Sequence, residues 1–570
     1  MKKLLQLSGL DISLIEHIRI IGHKIFMKGV IIHLKVKNAV FIVLFQCLFI
    51  CGGCQSYEIS RPQPLSPLEE CGYLKLTGHS EMMAYLKKID SLSDKVQIEV
   101  IGKSVESRQI PAVMLSEDKV FGSHRGVKPV VLIFATQHGD EPSGKEAALI
   151  LIRELATGSL QDVLKELEVL IVPLVNPDGA AKDTRRNAND MDLNRNHVVL
   201  SEPESLALHT LFLKWIPEVV VDVHESNCML NRWLRLGYRK NAEEMFDCVS
   251  NLNISPAIMK FSMDVVVPEV GQLVKADGFT FHRYIVGGPP EARRIRHSTT
   301  NINDGRQSTG IYNTFSFILE GQKYNGSVNK IERRTAGQIS AITAFLKTIA
   351  KYREKVLSVA HSARQKLLEQ RSSGEDVVHI RMDYGADPER KTTTMYPLYD
   401  VNSQKKFEKE LGNYTPIVKI KKSIKKPVAY IFSKNERRLT ELLSRHQIEM
   451  YCLKKDTKLK VEEYNILFLT PITEEDKRGE DVEVKVQTKD VTMEEGSVVV
   501  FLRQRAGNLI PLLLEPQSNW GICTERSGRK HHFGEYLKEG RQYPILRLMQ
   551  PVKLELEKYD CQVRLVGSMN

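Results

Sequence analysis

No stretch of the 570 residues is apolar for long enough to cross a bilayer. That takes about 20 residues, and the uncharged run at 39–51 (AVFIVLFQCLFIC) has thirteen. Beyond residue 54 no two cysteines stand in a C-x-x-C pair, so a metal site built from cysteines is not expected. There is no internal repeat, which argues against a repeat array. Nor is positive charge concentrated enough for a nucleic-acid binder: of the net +11, residues 1–53 carry +5, leaving +6 over the other 517. What remains is an ordinary composition, 42% hydrophobic and 26% charged with 35 Gly and 23 Pro. It rules out collagen-like, coiled-coil and wholly disordered classes, and the length suits two to four domains of roughly 150 residues each.

The short apolar run follows Lys35 and Lys37 and precedes Cys51-Gly52-Gly53-Cys54. A basic flank, a short apolar segment and small residues describe a secretory signal. Residues 1–53 are long for one, and a start at Met27 would leave 27 residues up to Gly53, an ordinary length. The end of the run resembles a bacterial lipoprotein cleavage site with Cys54 as the lipidated first residue, although Cys51 stands where such sites carry an aliphatic side chain. The resemblance implies export and a lipid anchor in the bacterial cell envelope, on its periplasmic or cell-surface face. An ordinary signal cut nearby, or a buried N-terminal helix, are the other readings. Six cysteines then remain (Cys71, Cys228, Cys248, Cys452, Cys523 and Cys561), an even number that an oxidising compartment allows to pair.

Residues 54–72 are polar and proline-rich, as in a tether. Residues 81–92 carry apolar side chains at helical spacing. Four apolar runs, at 130–135, 169–175, 219–223 and 315–319, read as buried parallel strands. Helical segments fall at 144–156 and 201–215, the second opening on Ser201 and Glu204 in a capping-box pattern. Strands alternating with helices predict an α/β fold: an open, mostly parallel or mixed twisted sheet with helices on both faces, over residues 73–371, whose site lies at the carboxyl ends of the strands. A long helical stretch at 332–370 closes it. Strand-like runs at 377–382, 428–432, 464–469, 498–503 and 509–514 then predict a smaller β-rich domain at 375–570. The lysines at 405–426 read most simply as a solvated face.

The chemistry lies at the strand ends. His138 and Glu141 stand three apart where the first strand gives way to a helix, so their side chains can converge. Imidazole and carboxylate are ligands for a cation such as zinc, although a capping role is the commoner use of such a pair. The third strand ends with Asp222 and His224 on one face. Two His and one Glu would leave the fourth tetrahedral position open, as in a catalytic zinc site. Between them, residues 185–196 (RRNANDMDLNRN) hold three arginines, whose planar forks bind carboxylates bidentately. Glu320 ends the fourth strand, where it either faces the cleft or caps a loop.

HGDEPSG, NPDG, RRNANDMDLNRN, DVHE and FSFILE, in that order, resemble the zinc carboxypeptidase family typified by carboxypeptidase A, over about residues 80–350. The segment around 507–521 is similar, more loosely, to the extra domain of some bacterial members. The resemblance implies one Zn2+ per chain on His138, Glu141 and His224, with Glu320 as the general base. It makes Arg185, or adjacent Arg186, the oxyanion-stabilising arginine. Asn194 and Arg195 become the grip on a substrate's terminal carboxylate, and Asp192 the acid that orients the first histidine. The nearest candidate for the family's substrate-capping tyrosine is Tyr312. The activity implied is removal of C-terminal residues from peptides. A zinc-dependent deacylase or amidase acting on a small or cell-wall amide, and a non-catalytic peptide-binding lipoprotein, are the rivals.

Overall fold

Every residue of Val130–Ala135 is buried. A strand so apolar on both faces requires cover above and below, which an α/β layer arrangement supplies. The computed structural model describes residues 63–118, 120–369, 376–389, 391–524 and 533–559. The expected signal segment, Cys54 and Cys561 lie outside the described residues. In chain order the first strands are β1 (Val96–Lys103), β2 (Gln109–Leu115), β3 (Val130–Ala135), β4 (Glu168–Val172), β5 (Val219–Asn227), β6 (Tyr238–Lys240), β7 (Glu244–Cys248), β8 (Phe281–Arg283) and β9 (Phe315–Lys323). Eight of them form one mixed sheet in the order β1-β2-β4-β3-β5-β9-β7-β8. Its centre, β4-β3-β5-β9, is parallel throughout. These are the four expected strands.

The helices used below are α1 (Pro67–Glu70), α2 (His79–Leu92), α3 (Ser143–Thr157), α4 (Pro203–Trp215), α5 (Ile331–Lys351) and α6 (Arg353–Glu369). The expected single stretch at 332–370 is broken at Tyr352. The capping box expected at the start of α4 does not form. The cap position is Glu202, without a side-chain cap bond, and Glu204 instead accepts from Val105 N (3.2 Å) and Asn187 Nδ2 (3.2 Å). A buried acid has stronger local donors to satisfy than a helix terminus. Part of the expected tether is ordered as well: α1 carries the capping box of Ser66 and Glu69, and Arg153 on α3 pairs with Glu69 at 2.6 Å.

Beyond residue 376 the chain is β-rich, as expected. Its strands are β10 (Val377–Gly385), β11 (Thr394–Asp400), β12 (Lys406–Leu411), β13 (Ile417–Lys425), β14 (Ala429–Phe432), β15 (Tyr451–Leu453), β16 (Thr457–Glu474), β17 (Lys477–Met493), β18 (Val498–Phe501), β19 (Leu546–Leu548) and β20 (Leu556–Lys558). Seven of them make a sheet in the order β17-β16-β19-β14-β18-β15-β20. This region is knitted to the first: β11 pairs with β6, and one buried core runs from α2 to Ile545. Leu509–Leu514, expected as a strand, is a helix with all six residues buried. A short apolar run does not reveal its own period, and this one is leucine-rich rather than β-branched. Among the described residues the cysteines are free thiols, and no helix is long and apolar enough to cross a membrane.

Candidate active site

The parallel centre of the sheet ends at one edge, and the chemistry-bearing residues leave it there. β3 delivers His138 and Glu141 through a tight turn. A Cβ on Gly139 would lie 2.0 Å from the Gly179 carbonyl carbon, so only glycine lets the first loop pass the Asn176-Pro177-Asp178-Gly179 turn. β5 carries His224, and its pairing with β9 sets His224 directly opposite Glu320. His138, Glu141 and His224 are all buried, and one ligand atom from each lies within 4.8 Å of the others.

The hydrogen bonds fix which ring nitrogen of each histidine faces inward. His138 Nε2 lies 3.1 Å from Asp192 Oδ1, and His224 Nε2 lies 2.9 Å from Asp222 Oδ1. With each Nε2 turned to its aspartate, both Nδ1 atoms face Glu141, at 3.0 Å from Oε1 and Oε2 respectively. Two imidazole nitrogens and one carboxylate thus face one another across a small space. It suits a divalent cation, and the acid behind each ring is the usual partner of a metal-bound histidine. Asp222 sits two residues before His224, so the two-residue period of a strand already put it on that face. Gln338 Nε2 on α5 donates to the His224 carbonyl (2.9 Å). Behind Glu225, Arg334 forms a buried fork at 2.7 and 2.9 Å, while the Glu225 amide donates to Glu141 Oε2 (3.1 Å).

Glu320 is buried, and burial pushes its carboxyl above the ordinary range, with His224 pulling against that and Glu141 adding to it. The Tyr284 hydroxyl hydrogen-bonds to it. Lys240, also buried, has its ammonium drawn by burial down to about 8 against the pull of Glu320. Neither partner carried a sequence signal, because Lys240 sits on the three-residue β6 outside the main sheet and Tyr284 directly follows the three-residue β8.

Arg185 lies over the ligands: Nη1 is 3.1 Å from His138 Nδ1 and 3.6 Å from Glu141 Oε1, and Nη2 donates to Asp192 Oδ2 at 2.9 Å. Arg186 turns away to the Asp190 carbonyl (2.7 Å). Asn194 has both ends of its amide engaged, Nδ2 3.1 Å from His224 Nε2 and Oδ1 accepting from Gly305 N at 2.8 Å. Arg195 is half-buried, and its one side-chain hydrogen bond is to the Asn194 carbonyl, so its fork has no carboxylate partner among the described residues. Tyr312 does not join this group. It is 3% exposed, stacks edge-on against Phe212 on α4 at 5.4 Å, and its hydroxyl is buried without a partner. Tyr312 lies just ahead of β9, where the chain enters the core, and a phenol there has no access to a substrate.

Residues 82–210 match the family model of the zinc carboxypeptidases. The chain carries a zinc carboxypeptidase domain. It is 24% identical over 465 residues to carboxypeptidase 2 of Trichophyton tonsurans, spanning 78% of this chain and 81% of that protein. It is 29% identical over 153 residues to carboxypeptidase D of Mus musculus, spanning 23% of this chain and 11% of that one. Among solved structures, carboxypeptidase A from Helicoverpa armigera aligns with a TM-score of 0.39 at 16% identity, covering 56% of this chain and 82% of that one. By its family domain and its relatives the chain is a metallocarboxypeptidase, a hydrolase.

Proposed function

We propose that the chain is an exported exopeptidase that holds one zinc ion on His138, Glu141 and His224 and removes the last residue of a peptide. The observation that carries this reading is the register of β5 on β9, which sets Glu320 beside His224, with the unpaired fork of Arg195 following the Asp192-Leu193-Asn194 turn. The ion would supply Lewis-acid polarisation of the scissile carbonyl and acidify the attacking water. Glu320 accepts that water's proton and returns it to the leaving amine, and the raised affinity of its carboxyl for a proton suits both halves of the transfer. Arg185 faces the developing oxyanion, where losing one such contact typically costs roughly 10²–10³ in rate. Arg195 grips the free α-carboxylate, and that grip sets the last peptide bond at the ligands rather than an internal one.

Glu320→Gln keeps the side-chain volume and removes the base, so hydrolysis of a blocked dipeptide is expected to fall by at least about 10³-fold with zinc content unchanged on metal analysis. Retained turnover would reject Glu320 as the base. Wild-type enzyme cleaving C-terminally amidated peptides as fast as free acids would favour the deacylase or amidase reading. Export and anchoring rest on the apolar run at 39–51 and the Gly52-Gly53-Cys54 pattern. Incorporation of labelled fatty acid should disappear in Cys54→Ala; label that persists would sink the anchor.

A further inference from the structure

β16 and β17 form a long hairpin of the β-rich region. Its two-residue tip, Glu475 and Asp476, has positive φ at both positions (49° and 61°), the backbone of a tight hairpin turn that non-glycine residues adopt reluctantly. What holds the tip there is the segment 294–300 of the first region. Glu475 is fully buried: Oε1 accepts from Thr300 N (2.6 Å) and Thr300 Oγ1 (2.9 Å), and Oε2 accepts from the Thr299 hydroxyl. Arg296 Nη2 donates to the Glu475 carbonyl at 2.5 Å, and Arg294 and Arg296 each reach Asp476 at 3.2 Å. The same segment continues into the carboxylate-binding side of the site, where Asn303 Nδ2 donates to the Arg195 carbonyl (2.8 Å) and Gly305 N to Asn194 Oδ1. The hairpin tip is therefore clamped to the loop that holds Arg195.

Lys477 is the first residue after the tip. Its Nζ lies 4.6 Å from the centre of the Trp520 ring, a cation–π contact, and no carboxylate among the described residues is within ion-pair distance of it. Its charged surroundings are the cations Arg195 and Arg296 and the acids Glu475 and Asp304, and burial, reinforced by Arg195, draws its ammonium down to about 8. Both acids are otherwise engaged: Glu475 on the two threonines, and Asp304 on the Gln307 amide (2.6 Å) and beside Arg306 (3.7 Å). Arg195 and Lys477 thus lie near enough for their charges to repel, with no acid among the described residues paired to either.

We propose that Lys477 reads the side chain of the substrate's C-terminal residue and selects an acidic one, aspartate or glutamate. This deepens the exopeptidase reading and rests on it, because Arg195 must hold the α-carboxylate for the side chain to be presented beside Lys477. A terminal Asp or Glu carries its second carboxylate only two or three bonds from the α-carbon, within reach of a neighbouring ammonium. The pair gained is a charge-assisted hydrogen bond in a partly desolvated place. An aliphatic terminal residue would leave the ammonium cut off from water without a partner, and a basic one would add a third positive charge. Trp520 supplies a flat wall that keeps the lysine stem in place.

The test is kcat/KM of the full chain on benzoyl-Ala-X dipeptides with X as Glu, Asp, Leu or Lys. Glu and Asp are expected to exceed Leu by about 10–100-fold, with Lys lowest. Lys477→Met should collapse the Glu-to-Leu ratio toward one, Lys477→Arg should preserve it, and Lys477→Glu should move the preference to Lys. Preservation in Lys477→Arg distinguishes charge from a loosened hairpin. Turnover with Leu or Lys equal to or above Glu, or an unchanged ratio in Lys477→Met, would overturn the selectivity while leaving the exopeptidase intact. No hydrolysis of any free-acid peptide would overturn the exopeptidase and this inference with it.

Discussion

The two sides of the site are secured by different physics. On the metal side, His138, Glu141, His224 and Glu320 leave adjacent parallel strands, and behind them stands a buried fork, Arg334 on Glu225, with both side chains almost wholly out of water (2% and 1%). On the far side, the hairpin tip is held by Arg294 and Arg296 on Asp476, whose side chain keeps 27% of its surface in water, and by Glu475 on two threonines. Charge pairs withdrawn from water are costly to break because the survivor is stranded, while pairs at the surface are worth roughly 0–1 kcal/mol. On the proposed function, the side that does the chemistry is the more deeply buried of the two, and the side that meets the substrate's side chain keeps more of its charge in contact with water.

The largest effect expected from this difference is on stability. Arg334→Ala leaves Glu225 buried without its guanidinium, and the cost should be about 3–5 kcal/mol. Glu225 also accepts from Ser143 N at 3.1 Å, at the start of α3. The loss should therefore appear as a lowered unfolding midpoint and weaker zinc retention together. A midpoint within about a degree of wild type would break the comparison, since the metal side would then owe nothing to buried charge. Removing Lys477 from the opposite side should leave the midpoint nearly where it was.

How much of this was legible in the sequence follows the same division. His138, Glu141, His224 and Glu320 stood out because each lies in a short motif at the end of a strand whose apolar run announces itself, and Asp192 because its motif resembles the family's. Asp222 was legible from the two-residue period beside His224. Tyr284, Lys240 and Lys477 were not, because what brings them in is long-range pairing: β6 on β11, and a hairpin clamped to a loop about 175 residues earlier in the chain. Tyr312 was misplaced for a related reason. The resemblance offered it as the nearest candidate, but the chain there is entering the core. Leu509–Leu514 failed as a strand because six buried apolar residues fit either period.

The smallest effect expected is also the one that isolates the far side. An ammonium whose pKa is depressed is charged below that value and neutral above it, so Lys477 should be a cation at pH 7 and lose its charge as pH rises through about 8. The charged groups around it are the guanidinium groups of Arg195 and Arg296 and the carboxyl groups of Glu475 and Asp304. Preference for a terminal glutamate over leucine should then shrink by several-fold between pH 7 and 9. Lys240 titrates over the same interval beside Glu320 and will alter turnover itself. That effect is common to both peptides and cancels in their ratio, which makes the ratio, not the rate, the quantity to follow. In Lys477→Arg the ratio should be flat with pH, since a guanidinium does not deprotonate there. A wild-type ratio that is equally flat would mean that the cation reading the substrate is Arg195 alone, and the two sides of the site would then reduce to one.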